Sequence, residues 1–222
     1  MTKRKARAVE FLRDALRLIV LAAAIVLALP TLSQAADKTL LLYGDSLMAG
    51  LGLDASDGFA AQLQAALDAR GIAVTVVNAS VSGDTTGDGL DRLDWTLADR
   101  PDAVILELGA NDMLQGLPPD AVSKNLGLIL DRFKADGVPV LLAGMKANPG
   151  LGAGYVTAFD GAFPALSAQY GAALFPFFLD GVAQDAALNQ EDAIHPNAAG
   201  VRIIVANILP YVERLLDPTA GK

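Results

Sequence analysis

The fold this sequence predicts is an α/β sandwich, a five-stranded parallel sheet with helices on both faces, and three observations point to it. Short apolar runs, often β-branched, alternate with longer segments of helical period along the body of the chain. Those runs are continuously apolar rather than alternating, as strands are when both faces of the sheet are covered. The 222 residues suit one such domain with a closed core once a leader is set aside.

The leader comes first. Lys3, Arg4, Lys5, Arg7, Arg13 and Arg17 precede an uncharged run from Leu18 to Leu29, followed by Pro30 and the small-residue stretch Ser33-Gln34-Ala35-Ala36. The run is shorter than the roughly 18 residues a spanning helix needs, and Ser33 and Ala35 suit the small positions before a cleavage point. Residues 1–35 are therefore expected to be a signal peptide, with 36–222 a single domain in the periplasm or outside the cell. An uncleaved membrane anchor is the alternative, and the mass of the mature N-terminus separates the two.

Strands are predicted at Thr39–Tyr43, Ala73–Asn78, Ala103–Leu108, Val138–Ala143 and Leu174–Phe177, each flanked by Gly, Asp or Pro. Helical periodicity predicts helices over Gly58–Arg70, Thr86–Arg100, Asp120–Asp136, Tyr155–Tyr170 and Asn197–Leu216. Within them Trp95, Phe159 and Phe163 read as core residues. Phe175-Pro176-Phe177-Phe178 fits either strand-end packing or the wall of a binding pocket.

Charge and composition exclude several classes of function. The formal net charge is −8, and beyond the basic leader 11 basic residues face 23 acidic ones, about −12 for the body. Phosphate backbones repel such a surface, so nucleic acid is not an expected partner. With no cysteine and a single histidine, thiolate nucleophiles, iron–sulfur clusters, disulfides and histidine-rich metal sites are ruled out. No calcium-loop spacing is present either, so neither metal nor cofactor is expected.

The loops that follow the strands carry the chemistry. In a parallel sheet these loops converge on a crevice at the carboxyl ends of the strands. Three of them read Gly44-Asp45-Ser46-Leu47, Ser82-Gly83-Asp84-Thr85 and Gly109-Ala110-Asn111-Asp112. Ser46 leaves a strand and opens a helical segment, where backbone amides favour developing negative charge. A plain capping role is equally compatible with those residues alone. Asp192-Ala193-Ile194-His195-Pro196 adds a base with its orienter: a carboxylate three residues before an imidazole can reach Nδ1 and leave Nε2 free. Ser46 as nucleophile, His195 as general base and Asp192 as its orienter thus form one constellation. Attack on a carbonyl creates an oxyanion, for which the amides of Ser46 and Gly83 and the side chain of Asn111 are candidate donors. The sequence is not G-x-S-x-G, because Met48 stands where that motif has glycine.

On these four blocks the chain resembles the SGNH (GDSL) hydrolase family, whose blocks carry Ser, Gly, Asn and His: here Ser46, Gly83, Asn111 and His195. The resemblance runs from Lys38 to about Leu216 and is strongest to the small periplasmic thioesterase, lysophospholipase and arylesterase branch. It implies a flavodoxin-like sheet, an acyl-enzyme on Ser46, and hydrolysis of short to medium acyl esters and thioesters by a monomer acting on a small-molecule substrate. Met113 stands where that branch often has a small residue, which is expected to narrow the acyl pocket. Leu114 is expected beside it, and Pro149 within the Gly/Pro-rich loop at 146–154 is a further substrate contact if that loop is a mobile lip rather than a plain connection. Two rivals are a carbohydrate O-acetylesterase and a non-catalytic acyl-binding protein. Activity is expected to fall at acid pH, because a protonated imidazole cannot act as a base.

Overall fold

The computed structural model describes residues 38–97 and 100–217; the leader assigned to 1–35 lies outside them. Strands β1 (Lys38–Gly44), β2 (Val74–Asn78), β3 (Ala103–Glu107), β4 (Val140–Ala143) and β5 (Ala173–Phe175) form one sheet. Every pairing is parallel and the order is β2-β1-β3-β4-β5. The chain steps from β1 to one side for β2, then returns to the other side for β3. That reversal between β1 and β3 opens a crevice at their carboxyl ends, where ligands of such sheets bind.

Eight helices accompany the sheet among the described residues. They are α1 (Ser46–Ala49), α2 (Phe59–Ala69), α3 (Thr86–Asp91), α4 (Leu93–Thr96), α5 (Ala110–Leu114), α6 (Pro119–Ala135), α7 (Ala153–Tyr170) and α8 (Ala198–Leu216). α2 packs with α8, and α6 packs with α3 and α7, giving helical cover on both sides of the sheet. The central strands β1, β3 and β4 are buried almost throughout, as their unbroken apolar sequences require. Tyr43 of β1 meets Phe133 of α6 edge to face at 6.1 Å, and Phe59 of α2 meets Phe178 at 5.2 Å. Each such side chain removed from water contributes about 1.5–3 kcal/mol. No described helix is long and apolar enough to cross a membrane.

The helix predicted over Thr86–Arg100 is the main departure. α3 opens with a capping box, Thr85 accepting from the Asp88 amide while the Asp88 carboxylate takes the Thr85 amide, but the helix stops at Asp91. Arg92 leaves helical geometry at φ −96° and ψ 2°. Its guanidinium turns inward to pair with Asp84 and donates to the carbonyls of Ala79 at 2.6 Å and Gly44 at 3.2 Å. Three polar partners there outweigh one more turn of helix, and the residues beyond restart as the short α4. The restart changes the buried face, so Trp95 is 87% exposed and not a core residue, whereas Phe159 and Phe163 are buried as expected. Trp95→Ala is therefore expected to change unfolding free energy by no more than about 0.5 kcal/mol, measured by urea titration. Smaller differences lie at the ends: β4 begins at Val140 and not Val138, and β5 ends at Phe175, before Pro176, which cannot donate to a ladder.

Candidate active site

Ser46 stands at the crevice between β1 and β3. Asp45 caps α1: its Oδ1 accepts from the Leu47 amide at 3.0 Å, and the four-residue helix closes at Gly50, in the left-handed region at φ 82°. One turn carries little macrodipole, so the favourable field at Ser46 comes from the free amides of that turn rather than from a long helix. The Ser46 hydroxyl lies 2.8 Å from His195 Nε2.

His195 sits in a turn whose backbone is organised by Asp192. One oxygen of that carboxylate accepts the amides of Ile194 at 2.9 Å and His195 at 3.0 Å, and the other lies 2.6 Å from His195 Nδ1. Those hydrogen bonds, the His195 amide first in effect, the Ile194 amide second and the imidazole third, hold the Asp192 carboxyl down at about 2, against an ordinary 3.8. An ionised carboxylate only accepts, so Nδ1 carries the proton and Nε2 is left to accept from Ser46. The tight turn puts Ala193 at φ 59°, an uncommon conformation for a residue with a side chain.

Gly83 and Asn111 face the same space. Gly83 adopts φ 93°, which glycine takes without strain. The Asn111 side chain donates from Nδ2 to the Asp84 carbonyl at 2.9 Å and to Asp45 Oδ2 at 3.2 Å. Ser46, Gly83, Asn111 and His195 line one open cleft of about 570 Å³. Met113, Leu114 and Pro149, the three residues predicted to contact substrate, line it too. Of the aromatic cluster at the end of β5, Phe175 and Phe178 are buried in the core while Phe177 lines the cleft, so both sequence readings apply, each to different residues. The Gly/Pro-rich loop contributes Lys146 to Pro149 to the wall and then makes one 3₁₀ turn, Pro149–Leu151. Among the described residues no group of three or more His, Asp or Glu side chains is placed to hold a metal ion.

Residues 42–203 match the GDSL-like Lipase/Acylhydrolase family. The chain belongs to that family. Over 202 residues it is 42% identical to Esterase TesA of Pseudomonas aeruginosa, covering 90% of this chain and all of that one. It is 38% identical over 172 residues to Thioesterase 1/protease 1/lysophospholipase L1 of Escherichia coli K12, covering 77% of this chain and 81% of the relative. The psychrotrophic esterase EstA from Pseudoalteromonas, whose structure was solved inhibited by monoethylphosphonate, superposes with a TM-score of 0.77 at 33% identity over 82% of this chain and all of that one.

In this family member four further side chains hold the crevice together, and none was singled out from the sequence. Gln190 donates from Nε2 to the carbonyls of Leu51 at 2.8 Å and Pro196 at 3.0 Å, which ties the loop after α1 to the histidine turn. Asp112 is buried and accepts from Thr86 twice, amide to Oδ2 at 2.8 Å and hydroxyl to Oδ1 at 2.6 Å, which joins α5 to α3. Arg92 spans the ends of β1 and β2 as described. Glu107, the last residue of β3, lies fully buried beneath Gly44 and Asp45. For Glu107 and Asp112 the only sequence signal is an acid beside Gly109, which by itself does not tell a surface residue from a buried one, and for Gln190 and Arg92 there is no such signal.

Proposed function

We propose that this ester-hydrolysing member of the family acts on acyl esters and thioesters through an acyl-enzyme on Ser46, with acyl chains longer than acetyl preferred. The observation that carries the mechanism is the hydrogen-bonded line from Ser46 Oγ through His195 to Asp192, at 2.8 and 2.6 Å. Nε2 takes the serine proton as Oγ attacks the acyl carbon, and the amides of Ser46 and Gly83 with the Asn111 side chain receive the oxyanion. The imidazolium then returns its proton to the leaving alcohol or thiol, and water repeats the sequence to release the acid. The relative inhibited by monoethylphosphonate supports this reading, since a tetrahedral phosphonate has the shape and the negative oxygens of the intermediate that the oxyanion donors would hold.

The cleft supports the substrate class. Its wall includes Leu47, Leu51, Met113, Leu114, Phe177 and Ile194, and three of these, Leu51, Leu114 and Ile194, are also well exposed at the protein surface. Apolar walls of this extent suit an acyl chain better than a sugar-linked acetyl group, which argues against the O-acetylesterase reading. Burying one methylene contributes about 0.8 kcal/mol, close to a fourfold change in kcat/KM. The expected profile over p-nitrophenyl esters therefore climbs by up to about fourfold per methylene from acetate to at least hexanoate, and acyl-CoA thioesters follow the same trend. A preference for acetate overturns the substrate assignment. A fluorophosphonate probe that leaves Ser46 unmodified overturns the mechanism.

The same proposal takes 1–35 as an export signal cut after Ala35, which puts the working enzyme in the periplasm or beyond it as a monomer on small-molecule substrates. A mature mass starting at Ala36 is the expected observation.

A further inference from the structure

Glu107 takes no part in the reaction as written above, yet an acid occupies one of the most protected positions in the molecule. Its side chain is 0% exposed, and Oε1 has no hydrogen-bond partner among the described residues. Oε2 accepts from the Asp45 amide at 3.4 Å. β1 passes so close above it that a Cβ on Gly44 would stand 2.7 Å from the Glu107 carbonyl oxygen and 2.8 Å from Oε2. Glycine at the start of the first block is thus the residue that makes room for this carboxyl group.

Burial first, and the neighbouring Asp45 carboxylate second, push the Glu107 carboxyl well above its ordinary 4.5. Asp45, also buried, is pushed up to about 6, with the Leu47 amide, the facing His195 and the Glu107 side chain drawing it back down and Asp84 opposing them. Two adjacent buried carboxyls do not both ionise readily. Asp45 is the one that does: its two oxygens accept from Leu47 and from Asn111, whereas Glu107 has Oε1 without a partner and Oε2 on the Asp45 amide alone. Asp84, the other nearby acid, is paired with Arg92. An apolar side chain of the same size would satisfy β3 at lower cost, so a buried acid here asks for a role.

We propose that Glu107 is a positioning residue: as a neutral acid it donates to the Asp45 carboxylate, and Asp45 in turn fixes the nucleophile turn and Asn111. The inference rests on the reading of Ser46 as nucleophile and Asn111 as oxyanion donor. Without the donated hydrogen bond, Asp45 is free to reorient, and the Asn111 amide and the Leu47 turn move with it.

Two variants of the full-length enzyme test this. Glu107→Gln keeps shape and a permanent donor; kcat is expected within about threefold of wild type, with KM unchanged. Glu107→Leu keeps volume without a donor; kcat is expected to fall by about 10- to 100-fold, with KM within threefold and the circular dichroism spectrum intact. Infrared spectra of the wild type at pH 8 are expected to show a protonated carboxyl C=O band that Glu107→Gln lacks. A carboxyl with a folded pKa above its unfolded one favours folding below the unfolded value and loses that contribution as pH climbs. The wild type is therefore expected to lose Tm relative to Glu107→Gln between pH 5 and pH 8. Equal kcat loss in Glu107→Gln and Glu107→Leu, no loss in Glu107→Leu, or no protonated band in the wild type overturns the proposal. Because Glu107→Gln and the infrared band suffice, a Glu107→Leu chain that fails to fold leaves the inference exposed to refutation. Labelling of Ser46 by a fluorophosphonate in the wild type separates the two readings: if Ser46 labels and Glu107→Leu is fully active, only the role of Glu107 falls, and if Ser46 does not label, both fall.

Discussion

Replacing Ser46 by alanine is expected to cut kcat on p-nitrophenyl butyrate by about 10⁴-fold or more, to a residue of activity supplied by binding and the oxyanion donors alone. Ser46 is the one hydroxyl hydrogen-bonded to His195 among the described residues, so no neighbouring side chain stands ready to replace it. KM is expected to stay within a few-fold, since the apolar walls proposed to hold the acyl chain do not involve Oγ. The fold is expected to tolerate the change, because the hydroxyl is partly buried at the mouth of an open cleft and water can take its place on Nε2. Steady-state kinetics with circular dichroism check both parts. A variant with more than a tenth of wild-type kcat ends the reading of Ser46 as nucleophile.

The second large effect is expected from Asp192→Asn, with kcat lowered by about 10²- to 10⁴-fold and KM little changed. Asparagine keeps one oxygen, which can still accept the amides of Ile194 and His195 and preserve the turn. Its NH₂ then faces Nδ1, where a carboxylate oxygen stood at 2.6 Å, and the imidazole is driven to the tautomer whose Nε2 bears the proton and cannot accept from Ser46. The Asp192 side chain is 44% exposed, so water competes for Nδ1 and the loss is expected toward the lower part of that range if solvent substitutes well. The acid limb of the activity profile bears on the same pair. With its carboxyl held at about 2, Asp192 stays ionised throughout any working pH, so activity lost between pH 7 and pH 4 does not arise from protonation of the orienter, whereas the carboxyl of Asp45, pushed up to about 6, lies within that window. Wild-type activity that is flat from pH 5 to pH 8 contradicts this assignment of the base.

Much of the fold was legible because the physics that sets it is local. Leu40 to Tyr43 and Ala103 to Leu106 are buried on both faces, and a strand under that constraint has an apolar sequence throughout. The meeting of Ser46, Gly83, Asn111 and His195 at one cleft was legible because a parallel sheet sends the loops after its strands to one edge, so their type and order suffice to gather them. The residues that brace these four were not. Gln190 acts through one amide reaching across to Leu51, 139 positions away, and nothing near Gln190 in sequence announces that meeting. Glu107 follows four apolar residues of β3 and reads as the polar end of a strand; its inward course depends on Gly44, in another strand. Trp95 was misread for a related reason. A single periodicity was assumed across Thr86–Arg100, whereas Arg92 gives up the helix for partners at the ends of β1 and β2, and everything after it changes face.

Ser46 and His195 are 149 residues apart, and the histidine turn precedes only the final helix. With His195 read as the base, a chain that has emerged only as far as the fifth strand carries all the sequence of its sheet and still lacks the group that activates Ser46. On that reading hydrolysis requires the last segment to be docked, which makes turnover a sensitive reporter of complete maturation.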